Sequence, residues 1–386
     1  AVLGVRSQGK ALASRLCQLG DVDVVAICDV DQSVLPAASK SVEELQGQAP
    51  RWETDFRRLL DDPSIDALVI ATPDHWHALM TIMACRAGKD VYVEKPVSHN
   101  LIEGERMVEA ARQYDRVVQS GLQQRSGTHF RSAVELVQSG KLGTVSLARA
   151  WSVHRRKSIG FRNDGKTPNG VNYNLWLGPA PARDFNSNRF HHNWHWHWDY
   201  GTGELGNWGV HLLDVARWGL GVGLPNRVAS TGGKYHFQDD QQTPDTQIVN
   251  FSYPQKTIVW EHRQWSTHGL EGRSAAVAFY GDAGTLVVDR GGWKVYDVRE
   301  SLTSETSEQQ TAHLRNFIDC IRTREHPSAD IAIGHLSSAL CHLGNVSHRV
   351  GRELHFDTVA NRCTDDPQAN ALLGREYREE WSEQIV

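Results

Sequence analysis

The heptapeptide Asp90-Val91-Tyr92-Val93-Glu94-Lys95-Pro96 reads as a short buried strand that ends abruptly in an acid, a base and a proline. Proline has no N–H group to donate to a sheet and disfavours helix at the preceding residue, so Lys95 is expected on a fixed turn. In an open α/β sheet, ligands bind at the carboxyl ends of the strands. A Glu–Lys pair can equally be an ordinary surface pair. The segments before and after it must therefore show whether Lys95 lies at a ligand-binding sheet edge.

Residues 1–121 alternate apolar strands with helices. Strands are predicted at residues 1–3, 22–28, 65–71, 91–93 and 117–119. The helices between them include residues 53–60 and a helix from Asp74 to about Arg86, which the Asp74 carboxylate can cap. Strands alternating with helices of this length predict a doubly wound parallel sheet, here a Rossmann domain over residues 1–121.

The first strand is followed by Gly4-Val5-Arg6-Ser7-Gln8-Gly9, a dinucleotide-binding glycine turn with Arg6 in place of the middle glycine. Gly4 makes the tight turn and Gly9 permits close helix–strand packing, while the Arg6 guanidinium could itself reach a phosphate. Asp29 lies twenty residues after Gly9, where a carboxylate accepts hydrogen bonds from a ribose. Because that carboxylate would repel a 2′-phosphate, NAD is the expected cofactor rather than NADP.

Residues 122–386 have a different pattern. A helix is predicted at residues 128–139 and a strand at 145–153, followed by an irregular aromatic stretch over 155–200. Six further strands are predicted at residues 227–235, 246–253, 257–265, 275–280, 285–288 and 294–298. Two helices, at residues 311–324 and 333–350, precede a polar tail. The fold class is therefore α/β: an N-terminal Rossmann sheet plus a C-terminal α+β domain with a large open, mostly antiparallel sheet.

Residues 203–218 predict a helix with one polar stripe. Asn207, His211, Asp214 and Trp218 are spaced by four, three and four residues, so they share a helical face. A lone histidine here would more often be satisfied inside a helix–sheet interface. A whole polar stripe on an otherwise apolar helix instead favours a functional site.

Histidine and tryptophan alternate over residues 190–200, which suggests a strand with one aromatic and one imidazole face. Flat indoles suit the C–H faces of a sugar ring, and imidazoles or carboxylates suit its hydroxyl groups. A metal site and a packed, rigidifying loop are the alternatives. No metal is expected, because metal ligands are usually divided between elements and backed by carboxylates. The substrate-binding candidates are Gln124, Arg125, Trp194, His195, Trp196, His197, Asp199, Tyr200, Asn207 and His211.

Composition limits the partners and the compartment. The formal net charge of −5 is of mixed sign, so neither a nucleic acid nor a membrane surface is an expected partner. No apolar run is long enough for a transmembrane helix. The sequence lacks an initiator Met and opens inside an apparent strand, so further residues are expected upstream. A cytoplasmic location is expected, with export as the alternative if a signal preceded residue 1.

Together these motifs resemble the Gfo/Idh/MocA family, named for glucose–fructose oxidoreductase, inositol dehydrogenase and rhizopine catabolism. The resemblance covers nearly the whole chain. It rests on the glycine turn, Asp29, Thr72-Pro73 with His77, Glu94-Lys95-Pro96, and residues 172–181, 203–214 and 316–320.

The resemblance implies that Lys95 is the active-site lysine and His211 the catalytic histidine. Asn207 stands where the family usually has an aspartate; it can bind a substrate hydroxyl but cannot take a proton, so its catalytic role differs. Cofactor contacts are expected from Gly4, Arg6, Ser7, Gln8, Gly9, Asp29, Thr72, Pro73, His77, Glu94 and Lys95.

The expected function is an NAD-dependent oxidoreductase that acts on a secondary alcohol of a sugar, glycoside or cyclitol by hydride transfer. One alternative is an NAD-dependent glycosidase that oxidises its substrate transiently and eliminates the aglycone. Another is a sensor that holds NAD without turnover. The resemblance also implies a small carbohydrate partner and a homodimer or homotetramer.

Overall fold

The computed structural model describes residues 1–297 and 302–385 of the 386-residue chain. Two sheets organise it, one of six strands and one of ten. The last residue of the strand predicted at residues 294–298, Val298, lies outside the described residues.

The first sheet is parallel throughout, in the order β3-β2-β1-β4-β5-β6. Its strands are β1 (Val2–Leu3), β2 (Ala26–Cys28), β3 (Arg51–Glu53), β4 (Ala67–Ile70), β5 (Asp90–Val93) and β6 (Val118–Ser120). Its helices are α1 (Gln8–Cys17), α2 (Leu35–Gln46), α3 (Arg57–Leu60), α4 (Asp74–Arg86) and α5 (Leu101–Gln113). This order confirms the doubly wound sheet and brings the carboxyl ends of β1, β2, β4 and β5 to one edge.

The prediction for residues 53–60 was wrong in part. Strand β3 ends at Glu53, and only the short helix α3 falls within the predicted helix. Strand β3 is at the sheet edge, and its Trp52 is half exposed, so the segment lacks the buried apolar pattern of a central strand.

The second sheet has the order β14-β13-β12-β11-β7-β10-β9-β8-β15-β16. Its strands are β7 (Val145–Ser152), β8 (Arg227–Gly233), β9 (Thr246–Ser252), β10 (Thr257–Arg263), β11 (Ala275–Gly281), β12 (Gly284–Asp289), β13 (Gly292–Tyr296), β14 (Thr303–Glu305), β15 (Leu354–Asp357) and β16 (Arg362–Cys363). Strands β7 and β10 pair in parallel, and the other pairs are antiparallel. The mostly antiparallel sheet is therefore confirmed, and the short edge strands β14, β15 and β16 extend it.

The helices of this part are α6 (Thr128–Gln138), α7 (Tyr173–Leu177), α8 (Val210–Leu220), α9 (Gln310–Thr323), α10 (Ile331–Val350), α11 (Pro367–Ala371) and α12 (Glu379–Ser382). Helices α6, α8 and α10 cover the inner face of the sheet. Trp260, Phe279 and Leu213 are fully buried in that layer. Helix α10 also packs on α5 and β6 of the first domain and on the turn that precedes α8. It therefore holds the first sheet next to the start of α8.

The crossover segment, residues 154–200, returns from the ten-stranded sheet to the first sheet. Its Val171 forms a β-bridge with Asp31, which follows β2, and Asn172 N–H donates to the Val30 carbonyl at 2.9 Å. The Trp176 carbonyl oxygen accepts from Trp76 Nε1 on α4 at 3.0 Å. The crossover segment therefore borders the carboxyl edge of the first sheet.

The strand predicted within residues 190–200 is wrong. Residues His191–Trp196 form a 3₁₀ helix, and His191 has a positive φ of 50°. A 3₁₀ helix repeats every three residues, so the alternating histidines and tryptophans do not form two faces.

In the part of the chain that the structure describes, no helix is long and apolar enough to cross a membrane. The same residues contain no group of three or more His, Cys, Asp or Glu side chains that could hold a metal ion.

Candidate active site

A cavity of about 430 Å³ lies at the carboxyl edge of the first sheet, between the crossover segment and the start of α8. Most of the predicted site residues line it. They are Gly4, Arg6, Ser7, Gln8, Asp29, Thr72, Pro73, His77, Glu94, Lys95, Trp194, His195, Asn207 and His211. Gly9 does not line the cavity but packs behind the turn, where an added Cβ would come 2.1 Å from the Gly4 oxygen.

The glycine turn forms one end of this cavity. Gly4 has a φ of 81°, and a Cβ there would lie 2.6 Å from the Ala71 oxygen, so the turn needs glycine. Helix α1 has no side-chain hydrogen bond capping its N-terminus, so backbone N–H groups there are available to an anion. Arg6 is exposed at the cavity and makes no hydrogen bond or ion pair with a described residue. The turn therefore fits a pyrophosphate, and Arg6 does not block it.

Asp29 stands beside this turn and is fixed by the backbone. Its Oδ2 accepts from Val5 N–H at 2.9 Å, and its Oδ1 accepts from Asp31 N–H at 3.0 Å. Burial raises the pKa of Asp29 to about 6, although the two N–H bonds oppose the shift. The carboxylate is therefore mostly ionised above neutral pH, and each oxygen keeps a lone pair for a ribose hydroxyl.

Glu94 and Lys95 follow strand β5 and have different environments. Glu94 is buried; its Oε1 accepts from Gln8 Nε2 at 2.9 Å, and its Oε2 accepts from Lys95 N–H at 3.2 Å. Burial raises the pKa of Glu94, and the Lys95 charge opposes this. The Lys95 ammonium reaches across to Asn207 and donates to both its backbone oxygen and its Oδ1, at 3.2 Å each.

His211 lies on α8, directly after the π-helical turn Leu205–Gly209. The side chain is buried, and its Nδ1 has no hydrogen-bond partner among the described residues. Burial holds the pKa of His211 well below 6.5, and the nearby Lys95 charge lowers it further. A neutral imidazole on the cavity wall can accept a proton or a hydrogen bond.

The predicted polar stripe of α8 divides in two. Asn207 and His211 line the cavity, but Asp214 is fully buried and forms a bidentate ion pair with Arg125 at 2.8 and 2.9 Å. Trp218 packs against the Arg125 guanidinium, 4.7 Å from its ring centre. The structure therefore uses Arg125 inside the fold, away from the cavity, and the neighbouring Gln124 is buried and does not line it either.

His77 holds two loops at the cavity wall. Its Nδ1 lies 2.7 Å from the Pro96 oxygen, and its Nε2 lies 2.9 Å from the Thr72 oxygen. Burial lowers the pKa of His77 to about 4, although both carbonyl groups oppose the shift. A neutral imidazole can donate to only one of the two oxygens, and both of its nitrogens face backbone rather than a ligand.

The aromatic part of the crossover segment contributes fewer residues to the cavity than the sequence predicted. Trp194 and His195 stack at 3.6 Å between ring centres and line the cavity. The other candidates face the protein: Trp196 is buried, His197 lies 2.7 Å from the Asn188 oxygen, Asp199 pairs with Arg183, and Tyr200 is fully buried. The packed-loop alternative therefore describes these four residues.

Two charged residues of the cavity wall, Asp74 and Arg290, were not among the predicted site residues. Asp74 opens α4, but its carboxylate does not cap the helix; it is buried and accepts from Thr202 Oγ1 at 2.9 Å. Burial raises the pKa of Asp74 to about 7. Other lining residues that were not predicted include Gln123, Leu175, Trp176, His191, His192 and Trp208.

Comparison with known protein families decides the identification. Residues 1–122 match the NAD-binding Rossmann fold of an oxidoreductase family, and residues 150–383 match the C-terminal alpha/beta domain of the same family. The chain belongs to the Gfo/Idh/MocA family. The first match identifies residues 1–122 of this Gfo/Idh/MocA oxidoreductase as the NAD-binding domain. This agrees with the glycine turn and Asp29.

Curated relatives match this family member over about 150 residues. It is 28% identical over 151 residues to the myo-inositol 2-dehydrogenase of Thermotoga maritima, covering 39% of this chain and 44% of that protein. It is 26% identical over 156 residues to an alpha-N-acetylgalactosaminidase of Shewanella oneidensis, covering 39% of this chain and 34% of that protein. The match therefore spans less than half the length of these curated relatives.

A solved structure matches over the whole fold. The WlbA dehydrogenase from Bordetella pertussis, in complex with NADH and UDP-GlcNAcA, covers 92% of this chain and 98% of its own, with 20% identity and a TM-score of 0.69. At this identity the likeness concerns the fold. The family member described here therefore shares both domains with that dehydrogenase.

Proposed function

We propose that this protein is an NAD-dependent dehydrogenase that oxidises a secondary alcohol of a sugar, glycoside or cyclitol. The supporting observation is that Lys95 and His211 line one cavity with the glycine turn that fits a pyrophosphate. When bound, NAD would accept the hydride that leaves the carbinol carbon.

In this proposal His211 removes the proton of the substrate hydroxyl. Its pKa is held low by burial, so the imidazole is neutral at pH 7 and free to accept. Since Nδ1 is buried without a described partner, we assign proton transfer to Nε2. Lys95 stabilises the oxyanion that develops as the proton leaves, and Asn207 holds the ammonium in place through two acceptors.

The walls of the cavity suit a polyol. Trp194 and the stacked His195 offer a flat surface for the C–H groups of a ring. Gln123 and Asn207 supply amide groups that can bind hydroxyls.

The direct test begins with the purified protein. Denaturation should release a nicotinamide nucleotide, or added NAD should raise the melting temperature. Sugars, methyl glycosides and inositols are then screened for absorbance at 340 nm. Lys95→Ala and His211→Ala should keep NAD affinity and lose most of the turnover, about 10²–10⁴-fold for a general base.

Matched controls are Lys141→Ala and His236→Ala, since both residues are exposed and outside the cavity lining. These variants should behave like the wild type. If the Lys95 and His211 variants also keep near wild-type rates, the proposed roles are wrong.

A second candidate function is an NAD-dependent glycosidase. The crossover segment lies beside the glycine turn and Asp29, where His191 Nε2 is 3.1 Å from Asp31 Oδ2. A segment that covers a bound nucleotide in this way suits an enzyme that keeps its cofactor. The sequence match to an alpha-N-acetylgalactosaminidase also supports it. It predicts release of p-nitrophenol from glycosides, nucleotide retained through gel filtration, and no net NADH. The dehydrogenase proposal instead predicts net formation of NADH, a nucleotide that exchanges, and no release of p-nitrophenol.

We also propose that the chain assembles as a homodimer or homotetramer through the outer face of the ten-stranded sheet. Helices cover the inner face, whereas Leu147 and Ile248 on the outer face are 37% and 38% exposed. Burying such apolar positions against a second copy would stabilise the assembly. Analytical ultracentrifugation at micromolar concentration tests this, and a monomer would contradict it.

A further inference from the structure

Arg290 is placed at the cavity by a well-anchored hairpin turn between β12 and β13. Asp289 Oδ1 accepts from Gly291 N–H at 2.7 Å, and Asp289 Oδ2 pairs with Arg273 at 2.6 Å. The Arg290 backbone oxygen accepts from Thr306 Oγ1 at 2.7 Å. The turn is therefore fixed on both sides, and the position of Arg290 does not depend on a free loop.

The Arg290 side chain is oriented by an aromatic ring rather than by an acceptor. Its guanidinium carbon lies 4.8 Å from the centre of the Trp208 ring, and the His154 ring packs on Trp208 at 4.4 Å between centres. Trp208 precedes His211 by three residues on the same helical turn. Stacking leaves the edges of a guanidinium, which carry its five N–H donors, available to a ligand.

No acceptor among residues 1–297 and 302–385 takes a hydrogen bond or ion pair from that guanidinium. Glu94 is the carboxylate that Arg290 senses electrostatically, but it lies beyond ion-pair distance. Glu94 is also occupied, since it accepts from Gln8 and from the Lys95 backbone. Arg290 is exposed, so its guanidinium borders the cavity with its donors open to solvent or to a ligand.

The charges at this end of the cavity favour an anion. Lys95 and Arg290 are cations and His211 is neutral, while burial raises the pKa of both buried carboxyl groups of this wall, Glu94 and Asp74. The pyrophosphate of the nucleotide has donors of its own, the N-terminus of α1 and Arg6 at the glycine turn. Arg290 therefore remains for the substrate.

We propose that Arg290 recognises a carboxylate carried by the sugar, so that the substrate is a sugar acid or its glycoside. This inference rests on the proposed function and narrows its substrate class. A planar guanidinium binds a carboxylate through two parallel N–H···O bonds, which a neutral hydroxymethyl group cannot replace. Arg290 thus determines specificity, while the proton transfer stays with His211 and Lys95.

The test uses matched pairs of probes with purified protein and NAD. D-glucuronate is compared with D-glucose, and D-galacturonate with D-galactose, by kcat/KM at 340 nm and by the shift in melting temperature. The wild type should prefer the acid of at least one pair by tenfold or more in either readout. Arg290→Met should raise the KM for that acid at least tenfold and leave the neutral sugar unchanged, and Arg290→Lys should recover part of the loss.

Lys294→Met is the control, because Lys294 lies on the same hairpin, is exposed and contacts Tyr296 rather than the cavity. It should keep the wild-type preference. The inference is overturned if no acid is preferred, or if Arg290→Met weakens NAD affinity instead of the response to the acid. If neutral sugars turn over and depend on Lys95 and His211, the proposed function survives that failure.

Discussion

The Lys95 ammonium donates to both the backbone oxygen and the side-chain Oδ1 of Asn207, at 3.2 Å each. This contact joins the end of strand β5 to the π-helical turn before α8, so it joins the two domains at the cavity. Because both acceptors are neutral, Asn207 holds the lysine by hydrogen bonds and adds no charge to the site. The aspartate usual in the family would add a negative charge four residues before His211.

Asn207→Asp should therefore raise the pKa of His211. A carboxylate next to the cavity favours the imidazolium, and opposite charges within a few ångströms shift a pKa by about one unit or more. If His211 is the base, activity falls below that pKa, so the acidic limb of the pH profile of kcat/KM should move about one unit to higher pH. An unchanged limb, with NAD affinity intact, would exclude His211 as the titrating base.

Asp29→Asn should reduce the preference for NAD over NADP. The amide oxygen can still accept from one of the two backbone N–H groups, that of Val5 or that of Asp31, but the side chain no longer repels a 2′-phosphate. We expect the ratio of the dissociation constants for NADP and NAD to fall at least tenfold, measured by titration of protein fluorescence. The exposed Asp23, changed to Asn, is the control for loss of a negative charge. A ratio that stays at the wild-type value would remove Asp29 from cofactor selection.

Asp74→Asn should stabilise the protein at high pH and have less effect at low pH. Burial raises the pKa of Asp74 to about 7, against about 3.9 in an unfolded chain. The folded state therefore holds this proton more tightly, and its contribution to the free energy of unfolding is lost as the pH rises from about 4 to about 7. At about 1.4 kcal/mol per pKa unit, the variant should gain a few kcal/mol over the wild type at pH 8.

Urea denaturation at pH 5 and pH 8 measures this difference. The exposed Asp61 gives the control variant Asp61→Asn, which should show no such dependence. Equal gains for Asp74→Asn at the two pH values would mean that the carboxyl is not protonated in the folded protein.

Arg125→Met should destabilise the fold without changing substrate binding. Its removal leaves Asp214 buried with only Ser337 Oγ at 2.6 Å and the Arg217 guanidinium at 3.6 Å. Breaking a buried ion pair from one side costs about 3–5 kcal/mol. The free energy of unfolding from urea titration should fall by that amount, with KM within twofold of the wild type. If Arg125→Met instead raises KM and leaves the free energy of unfolding unchanged, Arg125 binds substrate, as the sequence predicted.

The sheet edge and its nucleotide end could be predicted because their signals are local. The glycine turn, Asp29 and the strand before Lys95 each lie within one βαβ unit, and the rules for parallel sheets then bring them together. Lys95 and His211 are 116 residues apart, and only the family resemblance linked them before the structure placed them on one cavity.

The rest depended on contacts that the local pattern does not contain. Histidine and tryptophan alternate near the end of the crossover segment as they would in a strand, yet residues His191–Trp196 form a 3₁₀ helix. Asp214 belongs to the predicted stripe, but the buried Arg125 takes it out of the cavity. Arg290 comes from a hairpin turn of the far sheet, and no periodicity near it indicates a site.

The crossover segment contacts two different parts of the site. Its Val171 and His191 contact Asp31 in the loop after β2, and its Trp194 and His195 line the cavity in which we propose that the sugar binds. Changes that reshape the sugar pocket through this stretch will therefore also alter how firmly the dinucleotide is gripped. Directed evolution of substrate range in this scaffold should start from the Arg290 hairpin, which lies outside the crossover segment.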